Sequence, residues 1–300
     1  LIEAKLFAYK LLDAIREDDP FWDLSSQLVP AVSAEGSVVV KDQRPCVIAG
    51  VEEVVEFLRL LDVDVFPFKK DGDLASRGET VMRLVGPAPE LLKVERTVLN
   101  VLSMASGIAT QTRRAVEAAR AVNPKVRVAA TRKTSPFLRY LQKRAVMIGG
   151  GDPHRFSLSD AVLIKDNHVR LMGLEASISS AKKSAPFMAR VEVEVSNPHE
   201  ALMAARLGAD VVMLDNFSPE EAKLADELLT REGLRERVTV EISGGITEDN
   251  VALYAPHADV LSMGSLTHSF KAVDLSMELE AKEKKGEIEA SKRRDKRITR

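Results

Sequence analysis

Val191-Glu192-Val193-Glu194-Val195, then Val211-Val212-Met213-Leu214-Asp215, then Val238-Thr239-Val240-Glu241-Ile242 leading into Ser243-Gly244-Gly245: this succession decides the fold. Three short apolar runs follow one another, each carrying or reaching acids or glycines. Outward from them, further runs at 126–130, 145–148, 161–164 and 260–263 keep a spacing of roughly 17 to 30 residues, with helical patterns in several gaps. That is the repeat of a parallel α/β barrel. Its strand C-termini converge on one rim, so residues distant in sequence meet there.

The seven runs bring polar groups to that rim in order: Thr131-Arg132-Lys133, Gly149-Gly150-Gly151 with His154-Arg155, Lys165-Asp166-Asn167-His168, Glu192 with Glu194, Asp215-Asn216, Ser243-Gly244-Gly245, and Gly264-Ser265. Arg132, Lys133, Arg155 and Lys165 are four cations in one place, with His154 beside them. Each either pairs with a rim carboxylate or joins the others in seating a strongly anionic small molecule. Guanidinium forks and ammonium groups suit carboxylate and phosphate oxygens. The glycine loops after the last strands let backbone N–H groups close on phosphate, the first leading into a helix expected from Glu248. Alternation along 191–195 turns Glu192 and Glu194 to the same side. With Asp215 they offer an oxygen-rich wall for ribose hydroxyls and for Mg²⁺ with retained waters. No His/Cys set has the spacing of a zinc site.

The first hundred residues lack this rhythm. A helix is expected through Leu6, Leu11, Leu12 and Ile15, closing at Asp18-Asp19-Pro20. Strands at 38–40, 46–49, 63–66 and 80–85, a helix over 51–61 and a turn at Asp71-Gly72 make a separate α+β layer. Pro87 and Pro89 open an amphipathic helix from Glu90 to about Leu102. Small residues at Ser103, Ala105, Ser106 and Gly107 admit a close backbone approach, and a second helix spans 113–121. Beyond Phe270 the chain is highly charged and reads as a solvated helix with a basic tail; contact with a polyanion is the alternative.

Composition sets the bounds. Of 300 residues, 45% are apolar and 29% charged, as in ordinary globular proteins. A net charge of -2 gives no overall attraction to nucleic acid or anionic membranes, so any basic site is local. No apolar run approaches the roughly 18 residues of a bilayer span. The mixed charges of residues 1–16 are not those of a signal peptide. The single cysteine, Cys46, lies in the apolar Pro45-Cys46-Val47-Ile48, excludes an internal disulfide and fits a reducing cytoplasm.

At these same residues the sequence closely resembles the quinolinate phosphoribosyltransferase family, the decarboxylating nicotinate-nucleotide pyrophosphorylases. The resemblance runs to about Phe270. It is carried by Glu95-Arg96-Thr97-Val98-Leu99-Asn100, Ser106-Gly107-Ile108-Ala109-Thr110, Thr131-Arg132-Lys133-Thr134, Gly149-Gly150-Gly151 with His154-Arg155, Ile164-Lys165-Asp166-Asn167-His168, Leu214-Asp215-Asn216 and Ser243-Gly244-Gly245-Ile246. It implies an N-terminal α/β sandwich (residues 1–105, rejoined by a C-terminal helix at about 271–286) packed on an incomplete α/β (TIM-like) barrel at 106–270, with a charged tail at 287–300. It also implies a homodimer with shared active sites, possible higher assembly, and a partner subunit receiving Arg96. Read alone, Arg96 could equally pair with Glu90 or Glu95.

Carried over residue by residue, Arg96, Arg132, Arg155 and Lys165 would hold the quinolinate carboxylates, with Thr131 and His154 adjacent. Lys133 and Lys165 would face the pyrophosphate or ribose phosphate of phosphoribosyl pyrophosphate. Glu194 and Asp215 would take ribose hydroxyls and Mg²⁺-bound waters, and Ser243, Gly244, Gly245, Gly264, Ser265 and Leu266 the 5′-phosphate. Lys133, Lys165, Glu194 and Asp215 form the catalytic set so implied. The chain departs from the family pattern at Ala129-Ala130, Pro153 and Trp22-Asp23-Leu24, none of them an expected ligand. Competing readings are a sister group associated with molybdenum transport, a Schiff-base aldolase using Lys133 or Lys165, and a non-catalytic nucleotide or sugar-phosphate sensor.

Overall fold

Ala4, Phe7, Ala8 and Leu11 form the buried stripe of the first helix, α1 (Ile2–Asp18), whereas Leu6 of the expected stripe faces solvent. In the computed structural model, which describes residues 2–282, two units separate: one runs to Ser103 and resumes at Val273, and the other is Met104–Ala272. In the first unit α1 precedes strands β1 (Ser33–Val40) and β2 (Cys46–Val47), helix α2 (Val51–Arg59), and strands β3 (Asp64–Pro67), β4 (Leu74–Ala75) and β5 (Thr80–Pro87). Val51, Val54, Phe57 and Leu58 recur at helical spacing and bury one face of α2. Each such side chain removed from water contributes roughly 1.5–3 kcal/mol before entropy is counted. β1 pairs antiparallel with β5, and β5 with β3.

Helix α3 (Ala88–Arg120) is continuous where two helices were expected. Gly107 does not break it. A Cβ there would lie 3.0 Å from the Ala272 Cα, so the small residue is required by the close backbone approach that the sequence indicated.

The second unit holds a six-stranded parallel sheet. Its strands are β6 (Arg127–Ala129), β7 (Val162–Ile164), β8 (Val191–Val195), β9 (Val211–Asp215), β10 (Thr239–Ser243) and β11 (Val260–Ser262). Their order, β6-β11-β10-β9-β8-β7, is that of an incomplete barrel. Between them run α4 (Arg139–Ile148), α5 (Asp166–Met172), α6 (Leu174–Ser184), α7 (Pro198–Arg206), α8 (Pro219–Arg231) and α9 (Val251–Tyr254), and α10 (Ser265–His268) follows β11. The run at 145–148 is therefore not a strand. Leu141, Gln142, Ala145 and Val146 are buried one turn apart, and the chain leaves α4 through Gly149 and Gly150. It then meets the sheet at one residue, Asp152, bridged in parallel to Ala129. α9 begins at Val251 rather than at Glu248.

The register explains the rim. Ala129, Ser262, Ser243 and Asp215 are matched across four neighbouring strands, and Glu241, Met213 and Glu194 are matched two residues earlier. Side chains alternate along a strand, so both rows face the barrel interior. The intervening Val193, Val195, Val212, Leu214, Val240 and Ile242 pack on the other side.

The chain then returns to the first unit as a strand, β12 (Leu275–Ala281), antiparallel to β1 and completing the order β12-β1-β5-β3. The expected helix at 271–286 is thus corrected over the described residues. Leu275, Met277, Leu279 and Ala281 alternate with polar residues, and pairing with β1 outweighs the helix preference of Met, Glu, Leu and Ala. The tail at 287–300 lies outside the described residues.

Candidate active site

The C-terminal rim of the second unit encloses a cavity of about 490 Å³. Its wall includes Thr131, Arg132 and Lys133 after β6, His154 and Arg155 after the Asp152 bridge, Lys165 after β7, Glu194 of β8, Asp215 of β9, and Ser243, Gly244 and Gly245 at the end of β10. Eleven of the expected site residues therefore meet in one place. Asn216, expected at the rim beside Asp215, also lines it, and Leu163, Met213, Glu241 and Ser262, which were not expected, complete the lining.

The four cations fare differently. Lys165 ion-pairs through its ammonium with Glu194. Among the described residues no carboxylate lies within the 4.0 Å ion-pair limit of Arg132, Lys133 or Arg155. The buried Arg132 Nε has no hydrogen-bond partner. Burial and then the charge of Arg132 lower the Arg155 pKa, outweighing the opposing charges of Glu192, Glu194 and Asp160. Lys133 is fixed through its backbone: its amide donates to Thr131 Oγ1 at 3.0 Å, and its carbonyl accepts from Thr267 Oγ1 at 2.7 Å.

Below the cations lies an acid cluster. His154 Nε2 is 3.1 Å from Glu241 Oε2 and 3.8 Å from Glu192 Oε1. Burial and then the charge of Glu241 push the Glu192 carboxyl up to about 8. One Oε1 on each glutamate is buried without a hydrogen-bond partner. Burial works to lower the His154 pKa, but the Glu241 hydrogen bond and the two acids outweigh it, and the net direction is upward. The Arg155 amide donates to His154 Nδ1 at 2.8 Å, which opposes a second ring proton and selects the tautomer with hydrogen on Nε2. This geometry outranks the electrostatic pull, because a nitrogen already accepting a hydrogen cannot also donate. The three side chains bring potential ligand atoms within 4.8 Å of one another, a set that no sequence spacing exposed.

The glycine loop is built for close approach. Gly244 has φ +93°, and a Cβ there would stand 2.8 Å from the Asn216 nitrogen, which itself donates to the Ser243 carbonyl. Asn216 is also left-handed, at φ +58°, and its Nδ2 donates to Asp215 Oδ2 at 2.9 Å. In the Lys165-Asp166-Asn167-His168 motif, His168 caps α5: its Nδ1 accepts the Lys165 amide at 3.0 Å.

Four expected ligands are not in the cavity wall. Gly264 and Ser265 sit just behind it: a Cβ on Gly264 would be 3.0 Å from Lys133 Cδ, and Ser265 Oγ donates to the Ile246 carbonyl at 3.3 Å. Leu266 is fully buried, and its amide is spent on the Met263 carbonyl. Arg96 belongs to the first unit, exposed on α3, and forms no ion pair with Glu90 or Glu95.

An α/β barrel rim with clustered cations, inward acids and a glycine loop has the make-up that a phosphoribosyltransferase, a pentosyl-transferring enzyme, requires, and comparison with known proteins places the chain in that class. Family models for the N-terminal and C-terminal domains of quinolinate phosphoribosyl transferase match residues 23–106 and 108–278. A probable nicotinate-nucleotide pyrophosphorylase [carboxylating] of Methanothermobacter thermautotrophicus is 46% identical over 89% of this chain and 96% of its own. The human nicotinate-nucleotide pyrophosphorylase [carboxylating] is 40% identical over 90% of each chain. The solved structure of NadC from Streptococcus pyogenes superposes with a TM-score of 0.83 at 37% identity, over 91% of this chain and 96% of that one. The chain belongs to the quinolinate phosphoribosyltransferase family.

Proposed function

We propose that the protein joins quinolinate to phosphoribosyl pyrophosphate and releases pyrophosphate and CO₂, leaving nicotinate mononucleotide. The observation that carries this reading is the gathering of Arg132, Lys133 and Arg155, without carboxylate partners, in one cavity with Glu194, Asp215 and the Ser243–Gly245 loop. Two heavily anionic molecules bound side by side would supply the missing counter-charge.

In this reading Arg132 and Arg155 hold the quinolinate carboxylates, with Thr131 and His154 at their side. The ring nitrogen is thereby aimed at C1′ of the ribose. The C1′–O bond breaks as the N–C1′ bond forms, and Lys133 and Lys165 stabilise the charge of the departing pyrophosphate. The quaternised pyridinium accommodates the electron pair left at C2 when CO₂ departs, and a proton then replaces the carboxylate. No protein nucleophile is needed. Glu194 and Asp215 bring the hard oxygen donors that suit Mg²⁺ and ribose hydroxyls, and the metal would supply charge neutralisation at the diphosphate. The loop at Ser243, Gly244 and Gly245, with Gly264 and Ser265 behind it, serves the 5′-phosphate.

The reading includes a homodimer in which Arg96 of one subunit completes the other's quinolinate site; the exposure of Arg96 on α3 supports it. No helix among the described residues is long and apolar enough to cross a membrane. The single cysteine of the sequence, Cys46, is buried and supports a cytoplasmic setting. The test is pyrophosphate release from phosphoribosyl pyrophosphate and Mg²⁺ with quinolinate, nicotinate or other pyridine acids in turn. Quinolinate should be preferred by at least about a hundredfold, because an acid lacking the second carboxylate leaves a half-buried guanidinium unpaired. Equal use of the acids would overturn the reading.

A further inference from the structure

Lys143 is a lysine that the proposed reaction does not use. It lies on α4, is 2% exposed, and its ammonium donates to the Pro153 carbonyl and, at 2.9 Å, to the Arg155 carbonyl. Those two carbonyls flank His154, a non-glycine residue held at φ +53°. Such a conformation persists only where its surroundings over-determine it.

The other anchors of this segment are also visible. Asp152 exchanges backbone hydrogen bonds with Val128 and Ala130, its Oδ1 accepts the His154 amide at 2.7 Å, and the Arg155 amide is taken by His154 Nδ1. These fix amides and the start of the segment. The carbonyls at 153 and 155 are held by Lys143, and a buried lysine is costly unless its donors are engaged. The neighbouring Arg139 extends the same support, donating to the Phe156 carbonyl at 3.1 Å and to Thr134 Oγ1 at 3.0 Å.

We propose that Lys143 is a positioning residue for the quinolinate clamp: held under the loop, its ammonium locks the left-handed turn at His154 and so aims the Arg155 guanidinium and the His154 ring into the cavity. This rests on the reading in which Arg155 binds a quinolinate carboxylate. The charged groups around the ammonium are Arg139 on its own helix, Asp152 and Asp160 on the segment it supports, and Arg132 after β6. Burial, and then Arg139, bring the Lys143 pKa down to about 8. The clamp therefore loosens at moderately alkaline pH, where the ammonium loses the proton that makes it a charged donor.

The experiment compares K143M, K143R and R155M. In K143M the KM for quinolinate should rise about tenfold or more, with the KM for phosphoribosyl pyrophosphate within about twofold of wild type. K143R, which keeps charge and donors, should recover most of that loss. A K143M enzyme with wild-type quinolinate KM, or one weakened equally toward both substrates, overturns the proposal. If R155M itself leaves the quinolinate KM unchanged, the underlying reading of the clamp fails instead. Should K143M not fold, wild type and K143R are titrated with quinolinate from pH 7 to 9.5. Weakening through about pH 8 in wild type, absent in K143R, supports the proposal; the same profile in both overturns it.

Discussion

Replacing Arg155 by methionine removes one of the two clustered guanidinium groups while keeping the aliphatic bulk of the side chain. A carboxylate about 4 Å away gains roughly 4 kcal/mol of Coulomb energy from such a cation at an effective dielectric near 20. Two effects work against that figure. The half-buried guanidinium is already disfavoured by burial and by Arg132, so its removal relieves repulsion that exists before substrate binds. Water entering the vacated space also solvates part of the carboxylate. The net loss should be about 2–3 kcal/mol, which is about 30- to 150-fold in kcat/KM for quinolinate. Initial rates with quinolinate varied at saturating phosphoribosyl pyrophosphate, and then the converse, locate the loss, while a thermal melt checks folding. R155K should fall between, because an ammonium restores charge without the planar fork. A variant whose quinolinate kcat/KM stays within twofold of wild type, or whose defect lies wholly in phosphoribosyl pyrophosphate, would refute the clamp.

Three further outcomes are expected. Gly244→Ala combines a left-handed backbone with a collision against Asn216; it should cost about 1–3 kcal/mol of stability by chemical denaturation and raise the KM for phosphoribosyl pyrophosphate. Glu192 has a folded pKa of about 8 against an ordinary 4.5, so the fold favours its neutral form. The stability this provides is complete below pH 4.5 and drains as pH rises toward 8. The Tm of wild type should therefore fall between pH 5 and pH 8 and Glu192→Gln should flatten that fall; an unchanged slope would count against the buried acid pair. Truncation after Asp274 removes β12 and leaves the β1 edge open; Tm should drop by more than about 10 °C, and a melt close to that of the full chain would show the strand to be dispensable.

The rim was legible because its chemistry sits at strand ends. Thr131 to Lys133, Lys165, Asp215 and Ser243 to Gly245 each follow an apolar run, and a parallel barrel gathers such ends whatever their distance in sequence. Glu241 was missed because it lies two residues inside its strand, and Ser262 because, although it ends β11, it is enclosed in the apolar run 260–263. The hint for Glu241 was an acid flanked by Val240 and Ile242, both of which the sheet buries. Lys143 carried no local signal at all, since its partners are backbone carbonyls ten and twelve residues away. The errors share a cause: local propensity and tertiary pairing point to different elements. At 145–148 an apolar run matches a strand as well as the last turn of a helix, and only the one-turn spacing back to Leu141 separates them. At 275–281 strong helix formers conceal a period of two, which matters once β1 offers an unpaired edge. Two helices were expected on either side of the small residues at 103–107, yet one glycine costs a helix only about 1 kcal/mol, and backbone packing of Gly107 against Ala272 outweighs that.

Because the account turns on a single cavity that performs both glycosyl transfer and decarboxylation, the most direct measurement follows both products together. Quinolinate labelled in its 2-carboxylate is incubated with the protein, phosphoribosyl pyrophosphate and Mg²⁺, and labelled CO₂, pyrophosphate and nicotinate mononucleotide are counted over time. One of each per turnover, all lost when Arg132 and Arg155 are replaced together, is the predicted result. Pyrophosphate without labelled CO₂, or no turnover from a folded protein supplied with both substrates, would contradict it.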